Sequence, residues 1–178
     1  MKKFKEGFIQ VYTGSGKGKT TAALGLALRA AGHGFKSMII QFMKGDKNYG
    51  EIIAHHHLSP YITIRQFGLC TFVDKNNPSA EDLKLASEGI GFARKISKGN
   101  EFDILVLDEI NCAVDFGLVK EEELLDIMEN KNPHMELILT GRYASRKIIE
   151  KADLVTEMKE IKHYYRNKKI TSREGIEW

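Results

Sequence analysis

The sequence predicts a three-layer α/β fold in which a mostly parallel sheet is covered by helices on both faces. Three observations carry that expectation. Short runs rich in β-branched and aromatic residues alternate with longer stretches of helical period, the pattern of strand-helix-strand crossovers. One strand-like run leads straight into a glycine-rich loop that opens a helix, over residues 13–31. The chain has 178 residues and 42% hydrophobic content, the size of one domain with one continuous core. Residues 1–178 are therefore expected to form a single domain, with 159–178 as a basic C-terminal tail.

The predicted strands are Phe8–Thr13, Ser37–Phe42, Tyr61–Phe67, Phe102–Leu107, Glu136–Thr140 and Leu154–Met158. The predicted helices are Lys19–Ala31, Ala80–Ser97, Lys120–Asn130 and Ser145–Lys151, with a further short one over Glu51–Leu58. In the first helix Ala23, Leu24, Ala27, Leu28 and Ala31 recur at helical spacing, and Gly32-His33-Gly34 supplies a stop. Lys120-Glu121-Glu122-Glu123 places carboxylates in a first helical turn, where the backbone dipole favours negative charge, so this cluster reads as capping. The loops over 44–50 and 69–78 are long, polar and broken by Gly, Asn or Pro, which makes them the places to build a substrate pocket. From Lys159 onward the chain turns basic, through Lys162, His163, Arg166, Lys168, Lys169 and Arg173, and reads as a solvated end or a flap over the site.

Charge and cysteine usage narrow the partners. Twenty-seven Lys+Arg against 24 Asp+Glu leave a formal charge of +3, too mild to imply bulk binding to nucleic acid or a membrane surface. Cys70 and Cys112 form neither a C-x-x-C pair nor a disulfide framework, which suits a reducing, cytoplasmic setting. The apolar run after the charged start is shorter than a signal-peptide core, and no segment approaches the ~20 apolar residues of a membrane span.

The chemistry is expected at Gly14-Ser15-Gly16-Lys17-Gly18-Lys19-Thr20-Thr21. Glycines let several backbone N–H groups turn toward one anion, and the helix N-terminus behind them adds a favourable dipole. In such a phosphate loop, or P-loop, Lys19 neutralises the outer phosphates and the Thr20 hydroxyl binds Mg²⁺. The usual spacing G-x-x-x-x-G-K-[ST] places its first glycine where Thr13 stands, so counted from Gly14 the loop is one residue short. A second element agrees with it. The apolar run 102–107 ends in Asp108-Glu109, the arrangement of a Walker B carboxylate, and parallel strands deliver both loops to one sheet edge, where Thr20 and Glu109 are expected to share Mg²⁺. The fold class becomes a P-loop, RecA-like domain.

With these residues in place, the chain resembles the P-loop corrinoid adenosyltransferases, which act on cob(I)alamin or cob(I)yrinic acid a,c-diamide. The resemblance runs from Phe8 to Trp178. It comprises the shortened loop with Ala22-Ala23-Leu24-Gly25-Leu26-Ala27-Leu28-Arg29-Ala30-Ala31-Gly32-His33-Gly34, then Gln41-Phe42-Met43-Lys44-Gly45, Gly50-Glu51 and Val106-Leu107-Asp108-Glu109. It closes with Leu139-Thr140-Gly141-Arg142, Ala152-Asp153-Leu154-Val155-Thr156-Glu157-Met158, Lys162-His163 and Gly175-Ile176-Glu177-Trp178. The resemblance implies transfer of the 5′-deoxyadenosyl group of ATP to the cobalt of a reduced corrinoid, with release of triphosphate. It also implies a nucleotide reversed relative to ordinary P-loop enzymes, with the γ-phosphate deep in the loop and C5′ toward the corrinoid. By position, Gly14, Ser15, Gly16, Lys17, Gly18, Lys19, Thr20 and Thr21 hold the triphosphate, and Glu109 with Thr20 carries Mg²⁺. Glu51 corresponds to the family glutamate near the ribose, and Arg142 to the arginine near the phosphates. A homodimer and a flavodoxin-like reductase are implied as partners.

Two departures stand out. Family members with a Gly-Phe-Thr-Trp run use its aromatics to expel the lower cobalt ligand, whereas this chain has Cys70-Thr71-Phe72-Val73, leaving Phe72 as the one aromatic. The chain also begins almost at its first strand, so enclosure of the corrinoid is expected to differ from members with an N-terminal extension.

Other features read more plainly. Adjacent His55, His56 and His57 face different ways on a helix and lack partners at metal-ligand spacing. Asp115-Phe116-Gly117 spells a protein-kinase tripeptide without the kinase's other motifs. Cys70 reads as a small packing residue, and Tyr164-Tyr165 as edge packing of the tail. The rival functional readings are a nucleoside kinase or ATPase of similar core, and a non-catalytic binding protein; the retained Lys19, Thr20 and Glu109 speak against the latter.

Overall fold

The computed structural model describes residues 4–178; the first three residues of the predicted domain lie outside the described ones. The strands are β1 Ile9–Thr13, β2 Ser37–Phe42, β3 Ile62–Phe67, β4 Ile104–Asp108, β5 Glu136–Thr140 and β6 Leu154–Glu157. The helices are α1 Lys19–Gly32, α2 Gly50–Ala54, α3 Ala80–Ser97, α4 Ile110–Asp115, α5 Glu121–Asn130, α6 Arg146–Lys151 and α7 Tyr164–Lys168. The six strands form one sheet in the order β3-β2-β4-β5-β1-β6, and each neighbouring pair is parallel.

Burial on both faces explains why the central strands read as continuous apolar runs. On one face Tyr12, Ile39, Ile62, Ile64, Ile104, Val106 and Ile138 meet Ala23 and Ala27 of α1. On the other, Val11, Met38, Ile40, Leu105, Leu107, Leu137 and Leu139 pack against Ala86, Ile90 and Ala93 of α3, Leu124 and Ile127 of α5, and Ile148 of α6. Each fully buried Leu or Ile contributes about 1.5–3 kcal/mol relative to an exposed one. Small alanines on α1 let that helix lie close to the sheet, which brings its N-terminus over the strand ends.

Local signals set the helix limits. Ser79 opens α3 with a reciprocal capping box: its Oγ accepts from the Asp82 N–H at 3.1 Å, while Asp82 accepts from the Ser79 N–H at 3.0 Å. In α5 the expected capping role of the acidic turn appears as Glu123 accepting from the Lys120 N–H at 3.4 Å. Glu121 instead ties α5 to α6, receiving Lys147 at 2.9 Å and the Ser145 hydroxyl.

Three expectations need correction. The helix expected over 51–58 is α2 followed by a 3₁₀ turn, His55–Leu58, in which the His55 ring nitrogen Nδ1 meets the Ile52 carbonyl at 2.6 Å. The strand expected over 102–107 runs from Ile104 and includes Asp108, because Asp103 lies before the ladder, where its N–H bonds the Lys36 carbonyl. Two short helices, α4 and α7, were not expected; neither is long enough to show a clear helical period.

Candidate functional site

The site is assembled where β2, β4 and β5 end beside the N-terminus of α1. Side chains alternate along a strand, so the residues sharing the α1 face with Ile39, Val106 and Ile138 are Gln41, Asp108 and Thr140. These three polar groups are completely buried, and they satisfy one another. Thr140 donates to Asp108 Oδ1 at 2.7 Å and accepts from the Glu109 N–H at 3.0 Å. Gln41, paired in register with Asp108, donates to Asp108 Oδ2 at 3.3 Å and to Glu51 Oε1 at 3.0 Å. Gln66 on β3 extends the row, donating to Gln41 at 3.2 Å.

Directly above this row stands Thr20, whose hydroxyl donates to Asp108 Oδ1 at 2.8 Å. The carboxylate on the Thr20 hydroxyl is thus that of Asp108, while Glu109, expected to share Mg²⁺ with Thr20, lines the same cavity. The alternation Ile104, Val106, Asp108 turns Asp108 toward α1, and Glu109 comes one step later, in a left-handed conformation with φ 60° at the start of α4. Period-two counting along the strand was the signal for Asp108. Lys44 was also missed as a site residue: its Nζ lies 2.8 Å from Asp108 Oδ2 and 3.3 Å from Thr20 Oγ1.

Backbone strain concentrates here. Met43, Glu109 and Tyr143 all have positive φ, and each lies within three residues after the end of a central strand. Such conformations cost a non-glycine residue about 1–2 kcal/mol and gather at functional sites.

The glycine-rich loop lies over the end of β6. The Gly16 N–H donates to the Met158 carbonyl at 2.6 Å, and a Cβ on Gly16 would stand 2.7 Å from that same oxygen. A Cβ on Gly14, with φ 97°, would stand closer still, 2.4 Å from it. Lys19 is folded back on the loop, donating to the carbonyls of Gly14 at 2.9 Å and Gly16 at 2.6 Å. Burial pulls its pKa down, opposed by the nearby Glu109 carboxylate. Burial disfavours the Asp108 carboxylate, yet Lys44 and the hydroxyls of Thr140 and Thr20 outweigh it, and the pKa lies below the ordinary value. The Lys44 ammonium is correspondingly raised, since Asp108 more than offsets its burial.

These elements line a cavity of about 540 Å³ formed by Ser15 to Thr21, Leu24, Lys44, Tyr49, Gly50, Glu51, Glu109, Arg142, His163 and Gly175 to Trp178. It brings together every expected binding residue except Gly14 and Phe72. Gly14 instead borders a second cavity of about 380 Å³ on the other side of the loop, with Tyr143, Ile149 and Val155; Arg142 faces both. The C-terminal tail does form one wall. Lys17 donates to the Ile176 carbonyl at 3.1 Å and lies 3.8 Å from Glu177. Glu177 is in turn gripped by the Tyr164 hydroxyl and Arg173, which hold its carboxyl down to about 2.

Phe72 is fully exposed and borders neither cavity. Its loop is anchored by Val73, which packs on the core, and by Lys75, 2.6 Å from Asp115 and 5.7 Å from the Tyr143 ring centre. Cys112 is buried beneath Arg142, accepting from its N–H at 3.2 Å, and burial pushes the thiol up to about 12. No group of three or more His, Cys, Asp or Glu that could hold a metal ion occurs among the described residues. The site fits Mg²⁺ in another way: that ion uses one or two carboxylates plus substrate phosphates, and here the Thr20 and Asp108 oxygens converge on the Lys44 ammonium as on a cation. Among the described residues no helix is long and apolar enough to cross a membrane.

Comparison with known proteins gives the chain a family. A sequence model for the family described as ATP:corrinoid adenosyltransferase BtuR/CobO/CobP matches residues 5–178. A corrinoid adenosyltransferase of Sinorhizobium sp is 34% identical, over 98% of this chain and 81% of the relative. That of Escherichia coli K12 is 35% identical over 90% of this chain and 81% of the relative. Corrinoid adenosyltransferase CobA of Salmonella typhimurium is 31% identical over 98% and 87%. Among solved structures, the KaiC-like protein PH0186 of Pyrococcus horikoshii OT3 superposes with a TM-score of 0.58 at 19% identity, covering 89% of this chain and 74% of that one, a likeness of fold.

Proposed function

This chain belongs to the ATP:corrinoid adenosyltransferase family, and on that premise we propose how its site carries out the transfer. The activity is ATP-dependent adenosylation of a corrinoid. The observation that carries the reading is the convergence of the glycine-rich loop from Ser15 to Thr21, Glu51, Glu109 and Arg142 around a single cavity, with Asp108 buried beneath the Thr20 hydroxyl.

In this reading cobalt in its +1 state attacks C5′ of ATP, the C5′–O bond breaks, and its electron pair leaves with inorganic triphosphate. No side chain needs to remove a proton from the nucleophile, so the protein contributes orientation and charge. The loop from Ser15 to Thr21, with Lys19, and Arg142 receive the leaving triphosphate, and Glu51 orients the ribose. Lys19 moves its three donors from the Gly14 and Gly16 carbonyls to phosphate oxygens. Mg²⁺, held by Thr20 with Asp108 and Glu109, would stabilise charge on the triphosphate. The nucleotide lies with its γ-phosphate in the shortened loop and C5′ outward. The corrinoid meets it at the end of the sheet where the exposed Phe72 stands.

Further features of the proposal rest on single observations. The free Cys70 and Cys112 support a cytoplasmic setting. The open edge strand β6, all four of whose residues are exposed, supports a homodimer. A flavodoxin-like reductase would deliver the electron to the corrinoid. Incubation with MgATP and chemically reduced corrinoid tests the reading: a light-sensitive cobalt–carbon bond and triphosphate are expected. A kinase or ATPase would produce ADP.

A further inference from the structure

We propose that Lys44 and Mg²⁺ compete for the same oxygens of Thr20 and Asp108, so that Lys44 is a positioning residue that admits the metal only with the triphosphate, to which its ammonium transfers. The inference rests on the proposed MgATP site.

The contact is specific. Lys44 Nζ donates to Asp108 Oδ2 at 2.8 Å and to Thr20 Oγ1 at 3.3 Å, while Thr20 itself donates to Asp108 Oδ1 at 2.8 Å. A Mg²⁺ ion bonds oxygens at about 2.0–2.1 Å, so an ammonium and a metal cannot both occupy the crevice between these groups. The carboxylate of Asp108 is 1% exposed, and a buried carboxylate demands a counter-charge. Lys44 meets that demand from a fixed base. Met43, at φ 57°, reverses the chain at the end of β2, and the Lys44 N–H is seated so tightly on Gly68 that a Cβ there would lie 2.3 Å away.

The other charges around the ammonium favour its retention until an anion arrives. Glu109 and Glu51 both attract it. Lys44 is a flexible point charge with three rotatable donors, and it already borders the cavity that holds the glycine-rich loop. A triphosphate entering there supplies a second anion within reach of its stem. The ammonium then leaves Asp108, and the oxygens it covered become available to the metal. Metal and nucleotide therefore enter as a pair, which prevents Mg²⁺ from filling the site without substrate.

The test uses the full chain, wild type and Lys44→Met, with Mg²⁺ alone and with Mn²⁺ as a paramagnetic probe. In chelator, Lys44→Met is expected to melt below wild type because Asp108 has lost its partner. Mg²⁺ alone should restore that loss in the variant while leaving wild type nearly unmoved. Mn²⁺ binding without nucleotide, read by electron paramagnetic resonance, should be at least tenfold tighter in Lys44→Met, and ATP should tighten Mn²⁺ binding far more in wild type. Lys44→Gln, which retains donors but no charge, gives the same comparison if Lys44→Met does not fold. A merely structural lysine lowers the melting temperature without changing Mn²⁺ affinity, and that result overturns the inference. Adenosylation by the wild type is assayed separately: transfer with unchanged metal affinity in the variants rejects the competition alone, whereas absence of transfer by the wild type rejects the functional premise.

Discussion

Replacing Gly16 by alanine is expected to destabilise the fold by about 2–4 kcal/mol. The added Cβ would stand 2.7 Å from the Met158 carbonyl oxygen and 2.9 Å from the carbonyl carbons of Met158 and Lys159, all backbone atoms. Relieving that overlap costs about 1–3 kcal/mol. The same displacement breaks the 2.6 Å bond from the Gly16 N–H to Met158, a further ~1 kcal/mol. The Gly16 carbonyl also holds Lys19 at 2.6 Å, so the loop and its lysine shift together and MgATP affinity falls with stability. Gly25 is the internal control. It lies within α1 with nothing within 4 Å of an added Cβ, and Gly25→Ala should raise stability by about 1 kcal/mol through helix propensity. Urea unfolding at constant m reads both changes. Wild-type stability in Gly16→Ala, or a loss in Gly25→Ala, would refute the seating of the loop on β6.

Deleting residues 175–178 removes one wall of the larger cavity and both Lys17 contacts. The MgATP dissociation constant should rise about tenfold, with the melting temperature nearly unchanged; unaltered affinity in calorimetry would show that the tail is not a flap. The Cys112 thiol is pushed up to about 12 in the folded chain, whereas an unfolded thiol ionises near about 8.5. Above that pH the unfolded state has lost a proton that the folded state retains, so stability falls as pH rises. Urea titrations between roughly pH 8 and 11 should show a shallower fall in Cys112→Ala; parallel slopes would contradict the assignment.

Much of this architecture was legible because parallel strands buried on both faces leave uninterrupted apolar runs. Ser37–Phe42 and Glu136–Thr140 were delimited to the residue for that reason. The end of β4 was harder, since a completely buried Asp108 looks like loop chemistry until its three hydroxyl and amide donors and the Lys44 ammonium are seen. Alternation along the strand turns Asp108 toward α1, whereas the Walker B reading of Asp108-Glu109 placed the shared Mg²⁺ on its neighbour Glu109. Lys44 stood in a loop expected to build the pocket and in one of the resembling runs, yet neither singled out its side chain. Its position depends on the left-handed turn at Met43, and a non-glycine residue does not announce a positive φ. The tail's role was undecidable from composition, because a basic polar segment reads alike whether solvated or held by Tyr164, Arg173 and Lys17 around Glu177. Phe72 was identified by its place in the order of motifs, and it stands fully exposed.

Product analysis tests the central claim most directly. The purified protein is incubated in the dark, without oxygen, with MgATP and a chemically reduced corrinoid, and both products are quantified. The account predicts a light-sensitive adenosyl–cobalt bond and inorganic triphosphate in equal amounts. Formation of ADP, or consumption of ATP with no cobalt–carbon bond under several reductants, would contradict it.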